Sequence, residues 1–280
     1  MPKRLIVNAD DLGVSPGVNR GIVEAHTRGI LTSTTVMINM PHAPAGLELV
    51  AREAPGLGVG LHVNLTRGRP ISPPELVRSL VDGAGQFHHI SRWTEVSARF
   101  EADAITRELR AQFDRFVALA GRPPDHLDAH HFSAYLHPFA LHAMLDLAAE
   151  HSLPLRNPFL ATDQHTPGLE VMFPGITLEA IHEAMARIAS VVQAHGPPRW
   201  PDRTIIEFYD QNVTLGDLLV VLTNLPEGSA ELMCHPGYVD DALDSAYAAQ
   251  REKELAALTH PSAREVVASE GIELITFAQL

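Results

Sequence analysis

Residues 5–39, LIVNADDLGVSPGVNRGIVEAHTRGILTSTTVMIN, contain a strand, a helix and a second strand in succession. The apolar run Leu5–Val7 leads into polar residues, as a buried parallel strand does where it reaches the edge of a sheet. Ser15 and Pro16 are typical of a helix N-cap and a first helical position. The β-branched run that begins at Ser33 predicts the second strand. This stretch therefore predicts a β/α unit built on a parallel sheet.

The same alternation of strand and helix continues along the rest of the chain. Further strands are predicted at residues 58–65, 126–130, 204–208 and 231–234. Six to eight such units without an interior linker or repeat favour one domain over residues 1–280. Polar residues recur at several strand ends instead of at one crossover point, which favours a closed sheet over an open one. We therefore predict an α/β fold, a single-domain distorted (β/α) barrel with parallel strands.

The composition is that of a globular protein and excludes several functional classes. The 280 residues are 45% hydrophobic and 20% charged, with 21 Lys+Arg against 34 Asp+Glu and a net charge of −13. This balance argues against nucleic-acid or anionic-membrane binding. The single cysteine, Cys234, excludes an intrachain disulfide and a four-cysteine zinc site. No apolar run reaches the length of a membrane span or a signal-peptide core, so we predict a cytoplasmic protein, with a homodimer as the default oligomer.

Acidic residues and histidines stand at the ends of several predicted strands. Asp10 and Asp11 are adjacent, and adjacent residues of a regular strand point to opposite faces of the sheet. Both can therefore serve one site only where the strand already turns into a loop; the simpler interpretation is a solvated loop beside a helix N-terminus. His62 lies between apolar residues of a predicted strand, where a core histidine is more common than a ligand.

Two later motifs also carry histidines. His126, Asp128 and His130 alternate along a predicted strand, so they share one face, and three titratable groups are costly to bury without a metal or mutual pairing. Cys234 precedes His235, but adjacent strand residues diverge, so a buried and inert cysteine is the better interpretation. His235 stands where a Pro-Gly pair breaks the strand, and it could face the same end of the barrel as the other polar strand ends.

The four motifs together resemble a known family. They are residues 5–39, GLHVNLT at 60–66, HLDAHH at 126–131 and ELMCHPGY at 231–238. In this order they resemble the YdjC-like carbohydrate deacetylases, which include chito-oligosaccharide deacetylases and hopanoid-associated proteins. The resemblance spans nearly the whole chain. It implies a distorted (β/α) barrel that binds one divalent metal and removes acetyl groups from N-acetylated sugars.

The resemblance also implies roles for single residues. The metal ligands would be Asp11, His62 and His130. Asp10 would be the catalytic base, and His235 would be the histidine on the acid side of the reaction. One carboxylate and two imidazoles suit Zn²⁺ best, with Mn²⁺, Co²⁺, Ni²⁺ or Mg²⁺ as alternatives.

The match is weaker at positions that would contact the substrate. Arg156 stands where family members often carry a site arginine, which implies a substrate-binding role. Phe132 and Ala134 replace two histidines that many members carry beside the metal-binding histidine, so the contacts there would differ. We expect specificity to lie in the long loops at 66–100 and 157–178, because βα loops carry it in barrels.

The resemblance therefore implies a metal-dependent hydrolase that removes the N-acetyl group from an acetylated amino sugar or oligosaccharide and releases acetate, and the chemistry of these residues fits such a reaction. Amide hydrolysis needs an activated water, a stabilised oxyanion and a protonated leaving amine. One alternative is another metal-dependent barrel enzyme, either a sugar isomerase, which would need more carboxylates, or a phosphoesterase, which usually has a second metal cluster or more basic residues. Another alternative is a non-catalytic sugar- or metal-binding protein of the same fold, which would bind its ligand without turnover.

Overall fold

The computed structural model describes residues 2–159 and 178–280. Within these ranges one sheet contains seven strands: β1 Lys3–Leu12, β2 Ser33–Val36, β3 Gly58–Val63, β4 Leu127–Ala129, β5 Arg203–Ile205, β6 Gly228–Cys234 and β7 Glu273–Leu274. The strand order is β4-β3-β2-β1-β6-β5, and β7 pairs with the beginning of β1. Every pair of neighbouring strands is parallel. The carboxyl ends of the strands therefore meet at one edge of the sheet.

Helices connect the strands and contact one another around the outside of the sheet. Those of nine or more residues in the described ranges are α1 Pro16–Arg28, α2 Ala43–Glu53, α3 Ala102–Ala120, α4 Pro138–His151, α5 Leu178–His195, α6 Leu215–Thr223, α7 Ala248–Leu258 and α8 Pro261–Ser269. Ser15 caps α1 as predicted, since its hydroxyl oxygen accepts a hydrogen bond from Val18 N at 3.2 Å.

Residues 154–157 join the two ends of the sheet, β4 and β5. On one side Arg156 N donates a hydrogen bond to Leu127 O at 3.1 Å. On the other side Thr204 Oγ1 donates to Asn157 O at 2.8 Å. This segment stands where a further strand would close the sheet. The predicted α/β fold, a distorted barrel with parallel strands, is confirmed as a curled half-barrel sheet, and hydrogen bonds of this segment link its two edge strands.

Apolar and polar side chains are divided between the two faces of the sheet. Leu5 and Val7 of β1 belong to the main hydrophobic core, between the sheet and the helices. Ile6 belongs instead to a small separate cluster with Ile275 and Phe277. Because side chains alternate along a strand, Asp10 lies on the same inward face as Ile6. The inside of the barrel thus changes from apolar at one end to charged at the end where the strands finish.

Within the described ranges, no helix is long and apolar enough to cross a lipid bilayer. The cytoplasmic location, the homodimer and the single domain over residues 1–280 stay predictions. Of the two loops in which we expect specificity, most of 157–178 falls outside the described residues, whereas 66–100 is described completely.

Candidate metal centre and active site

The two adjacent aspartates at the end of β1 both line one cleft. Asp11 has φ 73°, in the left-handed region, and the pairing of β1 with β2 shifts register between Ala9 and Leu12. This irregularity breaks the alternation of the strand, so two neighbouring carboxylates reach the same space. The solvated-loop interpretation of Asp10 and Asp11 is wrong, because both residues are buried.

Asp11, His62 and His130 place three potential ligand atoms around one point. Asp11 Oδ1 lies 3.2 Å from His130 Nδ1 and 3.6 Å from His62 Nε2, and the two imidazole nitrogens are 3.2 Å apart. Metal–ligand bonds of about 2.0–2.2 Å at tetrahedral angles separate neighbouring ligand atoms by about 3.4 Å. The structure therefore brings together the three residues predicted as ligands, at spacings that suit one metal ion.

The unsatisfied bonding capacity of these residues also fits a metal. Asp11 Oδ1 is buried without a hydrogen-bond partner among the described residues, whereas its other oxygen accepts from Arg251 Nη2. An unpaired buried carboxylate oxygen is costly, and a cation would remove that cost. His62 directs Nδ1 to Asp128 Oδ1 at 2.6 Å, which leaves the lone pair of Nε2 for the centre of the group. One carboxylate and two imidazoles fit a divalent transition metal.

A second group of buried residues, Asp10, His62 and Asp128, is also close enough to hold a cation. The side chain of Arg156 already provides a positive charge for this group. The guanidinium of Arg156 donates to both oxygens of Asp10, at 2.8 and 2.6 Å, and lies 3.1 Å from Asp128 Oδ2. Both oxygens of Asp10 thus accept from a guanidinium, whereas Asp11 accepts from the Arg251 guanidinium with only one oxygen and keeps the other for a metal. The group that contains Asp11 is therefore the better candidate for the metal centre.

Arg156 lies beneath the cleft, between three carboxylates. Besides Asp10 and Asp128 it contacts Glu231, whose Oε1 accepts from Arg156 Nε at 2.8 Å. Its side chain is fully buried, so it cannot contact substrate in this structure, and the substrate-binding role needs correction. Burial alone would raise the pKa of Asp10, but the adjacent guanidinium outweighs burial and holds that pKa well below its usual range. Arg156 therefore positions Asp10 and keeps it ionised.

Replacing Arg156 with methionine should destabilise the protein strongly, because three buried carboxylates would lose their cation. Removing one partner of a buried ion pair typically costs about 3–5 kcal/mol. We expect the free energy of unfolding, measured in urea, to fall by at least about 3 kcal/mol. Arg107→Met, at an exposed position of α3, is the matched control and should change it by less than about 0.5 kcal/mol. A loss no larger than that of the control would contradict this role.

The residues of the HLDAHH motif at 126–131, which contains β4, are divided between the site and the core. His126 is buried away from the cleft and stacks on Phe277 with 3.8 Å between ring centroids. Asp128 lies behind His62, and His130 follows the end of β4. Phe132 lines the cleft and lies over the Arg156 guanidinium, whose carbon is 5.9 Å from the ring centroid. Of the three residues predicted to share one face, His130 thus belongs to the site and Asp128 supports it, whereas His126 belongs to the core.

His235 follows β6 and faces the same cleft. Its Nε2 lies 4.0 Å from Asp10 Oδ2, and the edge of its ring contacts Tyr209 and Tyr247 at centroid distances of 5.5 and 5.4 Å. Burial lowers the pKa of His235 to about 4, although the neighbouring carboxylates act in the opposite direction. The imidazole is therefore neutral at neutral pH, and it can donate a proton to the substrate only after it has accepted one.

Two buried charged residues of α7 complete the site, and sequence reasoning missed both. Arg251 donates from Nη2 to Asp11 Oδ2, and its Nη1 lies 3.4 Å from His235 O. Glu254 accepts from His235 N and, at 2.6 Å, from the hydroxyl of Tyr247. Burial raises the pKa of Glu254 to about 8. One helix thus holds both a candidate metal ligand and the candidate proton donor.

Replacing Arg251 with methionine should weaken metal binding, because Asp11 would lose the partner that fixes its orientation. Losing such an outer-shell partner typically costs about 10–100-fold in metal affinity. Titration calorimetry of the metal-free protein with Zn²⁺ would measure the change, with Arg107→Met as the control for loss of an arginine. An affinity equal to that of the unaltered protein, or tighter because a positive charge is gone, would contradict the positioning role.

Comparisons with known proteins identify the family of this chain. The family described as YdjC-like protein matches residues 4–269. A carbohydrate deacetylase from Geobacillus stearothermophilus is 36% identical and covers 100% of this chain and 98% of its own, and a chitooligosaccharide deacetylase from Yersinia enterocolitica is 36% identical over 99% of both. The crystal structure of an Enterococcus faecalis protein is 33% identical and superposes with a TM-score of 0.84, covering 100% of this chain and 99% of its own. The chain therefore belongs to the YdjC-like family.

Proposed function

We propose that the protein removes the N-acetyl group from an acetylated amino sugar or oligosaccharide, in a reaction that depends on one divalent metal. The observation that carries this proposal is that the residues at the carboxyl ends of the strands form two sets, one that can bind a metal and one that can transfer protons beside it. Asp11, His62 and His130 form a ligand group, while Asp10 and His235 stand beside it without being needed as ligands. The names of the two relatives, carbohydrate deacetylase and chitooligosaccharide deacetylase, support the substrate class. Among divalent metals, Zn²⁺ suits the ligands best.

The first half of the reaction needs a base beside the metal centre. The metal, when bound, would polarise the acetyl carbonyl and make a nearby water more acidic. Asp10 is the residue that accepts the proton of the attacking water, because Arg156 keeps its carboxylate ionised and fixes its direction. As the water oxygen bonds to the acetyl carbon, that proton passes to an oxygen of Asp10.

The second half needs a proton on the leaving nitrogen. His235 is neutral, so the proton that Asp10 has taken from the water is its source. Asp10 Oδ2 and His235 Nε2 are 4.0 Å apart, so the two side chains must approach each other by about 1 Å for the transfer. His235 then protonates the sugar nitrogen while the C–N bond breaks, which restores both residues and yields the free amine and acetic acid, and the acid ionises to acetate while the amine takes up its proton. Glu254 accepts a hydrogen bond from the backbone N–H of His235, which fixes the position of the imidazole during the transfer.

The alternatives have less support. A phosphoesterase with two metals would need a second ligand group, but the candidate group is occupied by Arg156. An isomerase would need more carboxylates on the open side of the metal, whereas Asp128 and Glu231 point to Arg156 beneath it. A binding protein would have no use for a base and an imidazole placed beside the ligands.

An assay of product release tests the proposal against these alternatives. The metal-loaded protein would be incubated with N-acetylglucosamine, its β-1,4-linked oligomers and p-nitrophenyl phosphate. Acetate from a sugar without phosphate release supports the proposal. Phosphate without acetate would establish a phosphoesterase, and tight sugar binding without either product would establish a binding protein.

A further inference from the structure

The hydroxyl group of Tyr209 is a hydrogen-bond donor that the chemistry above does not use. Amide hydrolysis needs three functions, and Asp10 and His235 supply two of them, the activation of water and the protonation of the amine. The third function is stabilisation of the oxyanion, which forms when the electron pair of the acetyl C=O bond moves onto oxygen. Preorganised donors at this oxygen usually make the largest single contribution to the rate. A free donor in the cleft is therefore a candidate for the third function.

Two tyrosines line the same cleft as the candidate metal ligands, and their hydroxyl groups differ in their partners. The hydroxyl group of Tyr247 donates to Glu254 Oε1 at 2.6 Å and accepts from Asp210 N at 2.9 Å. The hydroxyl group of Tyr209 has no hydrogen-bond partner among the described residues. The first hydroxyl therefore connects elements of the fold, whereas that of Tyr209 is free to bind an oxygen of the substrate.

The side chain of Tyr209 is held in place by its surroundings. Its ring stacks on that of Tyr247, with 4.5 Å between centroids and 9° between the ring planes. The next residue, Asp210, has φ 55°, in the left-handed region that residues other than glycine rarely adopt. Besides the bond from its N–H to Tyr247, Asp210 accepts from Gln250 Nε2 at 3.1 Å. Backbone strain that neighbours maintain in this way is typical of functional sites, and here it preorganises the phenol.

The place and the protonation of Tyr209 suit an oxyanion. Its ring lies beside that of His235, with 5.5 Å between centroids. In the tetrahedral intermediate the oxyanion and the amine nitrogen are bonded to the same carbon, so the groups that serve them must be neighbours. Burial raises the pKa of Tyr209 to about 12, and among the nearby charges that of Asp11, a candidate metal ligand, raises it most. The hydroxyl group therefore keeps its proton at neutral pH and is available as a donor beside the metal centre.

We propose that Tyr209 is a further catalytic residue, whose hydroxyl group donates a hydrogen bond to the oxyanion. As the water oxygen bonds to the acetyl carbon, the electron pair of the C=O bond moves onto the carbonyl oxygen, and the hydroxyl group binds this oxygen without giving up its proton. When the C–N bond breaks, the electron pair returns to restore the C=O bond, and the hydrogen bond weakens again. This role rests on the proposed function and adds to it a donor that acts mainly in the transition state.

Replacing Tyr209 with phenylalanine keeps the ring and removes the donor. The loss of one oxyanion donor typically lowers kcat about 10²–10³-fold, and we expect a loss of this size for acetate release from the best substrate among N-acetylglucosamine and its oligomers. We expect kcat/KM to fall equally, because the hydrogen bond is made fully only in the transition state. Tyr238→Phe is the matched control. Its hydroxyl group bonds to Glu24 Oε2 at 2.5 Å, outside the cleft, so its removal should leave kcat unchanged.

Binding of a tetrahedral analogue separates this role from a structural one. The probe is the methylphosphonamidate of glucosamine, in which charged oxygens on a tetrahedral phosphorus replace the acetyl carbonyl. Tyr209→Phe should weaken its binding to the metal-loaded protein at least about tenfold, because hydrogen bonds to charged groups are the strong ones. The affinity for Zn²⁺ and the thermal unfolding should not change. Binding of the uncharged N-acetyl sugar, measured with Asp10→Asn as the background, should not change either.

Each outcome of these measurements decides the role of Tyr209. A kcat of Tyr209→Phe within about threefold of that of the unaltered protein would overturn it, and so would a loss confined to a higher KM. Equal weakening for the analogue and the uncharged sugar, or a weaker affinity for Zn²⁺, would also contradict it. Acetate release that Tyr209→Phe leaves unchanged would overturn this role alone, whereas no release by the unaltered protein would overturn the proposed reaction and this role together.

Discussion

Replacing Asp11 with alanine is expected to abolish stoichiometric metal binding. Asp11 provides the carboxylate among three ligand residues, and neither neighbouring aspartate of the described site is free to replace it, since Asp10 and Asp128 are both bonded to Arg156. Loss of a direct ligand should exceed the roughly 10–100-fold loss typical of an outer-shell partner, so we expect at least about a 100-fold weaker affinity. Calorimetric titration of the metal-free variant with Zn²⁺ would measure it.

The Asp11 result needs two controls, because the substitution also leaves Arg251 unpaired. His62→Ala removes a ligand without touching Arg251, and it should cause a loss of affinity at least as large. Asp114→Ala, at an exposed position of α3, tests whether loss of an acidic residue weakens binding by reducing the negative charge of the protein. An affinity for Zn²⁺ equal to that of the unaltered protein in either ligand variant, with the fold intact, would rule out this metal centre.

Replacing Asp10 with asparagine is expected to leave the metal bound and to remove most of the turnover. The introduced amide would be neutral, so it could not accept the proton of the attacking water, whereas the three ligand residues would be unchanged. Loss of a general base typically costs about 10²–10⁴-fold in rate. The rate of acetate release at saturating substrate would give kcat, and the metal content would be measured on the same sample.

The thermal unfolding of the Asp10→Asn variant is its necessary control. The substitution disturbs the contact with Arg156, so a rate loss in an unfolded or metal-free sample would be uninformative. In a folded, metal-loaded sample, near-normal kcat would show that another group is the base. A lower kcat with substrate binding retained would agree with a role for Asp10 in the chemical step.

The part of the site that lies at strand ends could be predicted from the sequence. Asp10, Asp11, His130 and His235 stand where predicted parallel strands finish, and those ends meet at one edge of a sheet. His62 lies inside the strand predicted at 58–65, and in the structure it is next to the last residue of β3. Topology alone thus brings together residues that are far apart in the chain. The sequence alone could not predict that two adjacent aspartates reach the same cleft, because this depends on the left-handed φ of Asp11.

The part of the site on α7 could not be predicted by apolar periodicity. The buried positions of this helix include Arg251, Glu254, Leu255 and Leu258, which have the spacing of one helical face. Two of these four are charged, so the stretch has the pattern of a solvated segment even though its charged residues face the site. Buried Arg and Glu residues of this kind can be recognised only once the positions of their partners, Asp11 and His235, are known from the structure.

The position of Arg156 also required the structure. In sequence it follows a short apolar run, and this pattern does not show whether the side chain points into the cleft or beneath it. The choice is determined by the carboxylates of Asp10, Asp128 and Glu231, which come from three different strands and converge below the cleft. Long-range pairing of charges inside the barrel therefore distinguishes a positioning residue from a substrate contact.

The most direct test of the account is the release of acetate by the metal-loaded protein, before and after chelation. N-acetylglucosamine and its oligomers would be the substrates, and acetate and free amine would be measured separately. We predict equal amounts of the two products, loss of activity on removal of the metal, and recovery with one equivalent of Zn²⁺. Undiminished release by protein shown to be metal-free, or no release by metal-loaded protein from any of these sugars, would contradict the account.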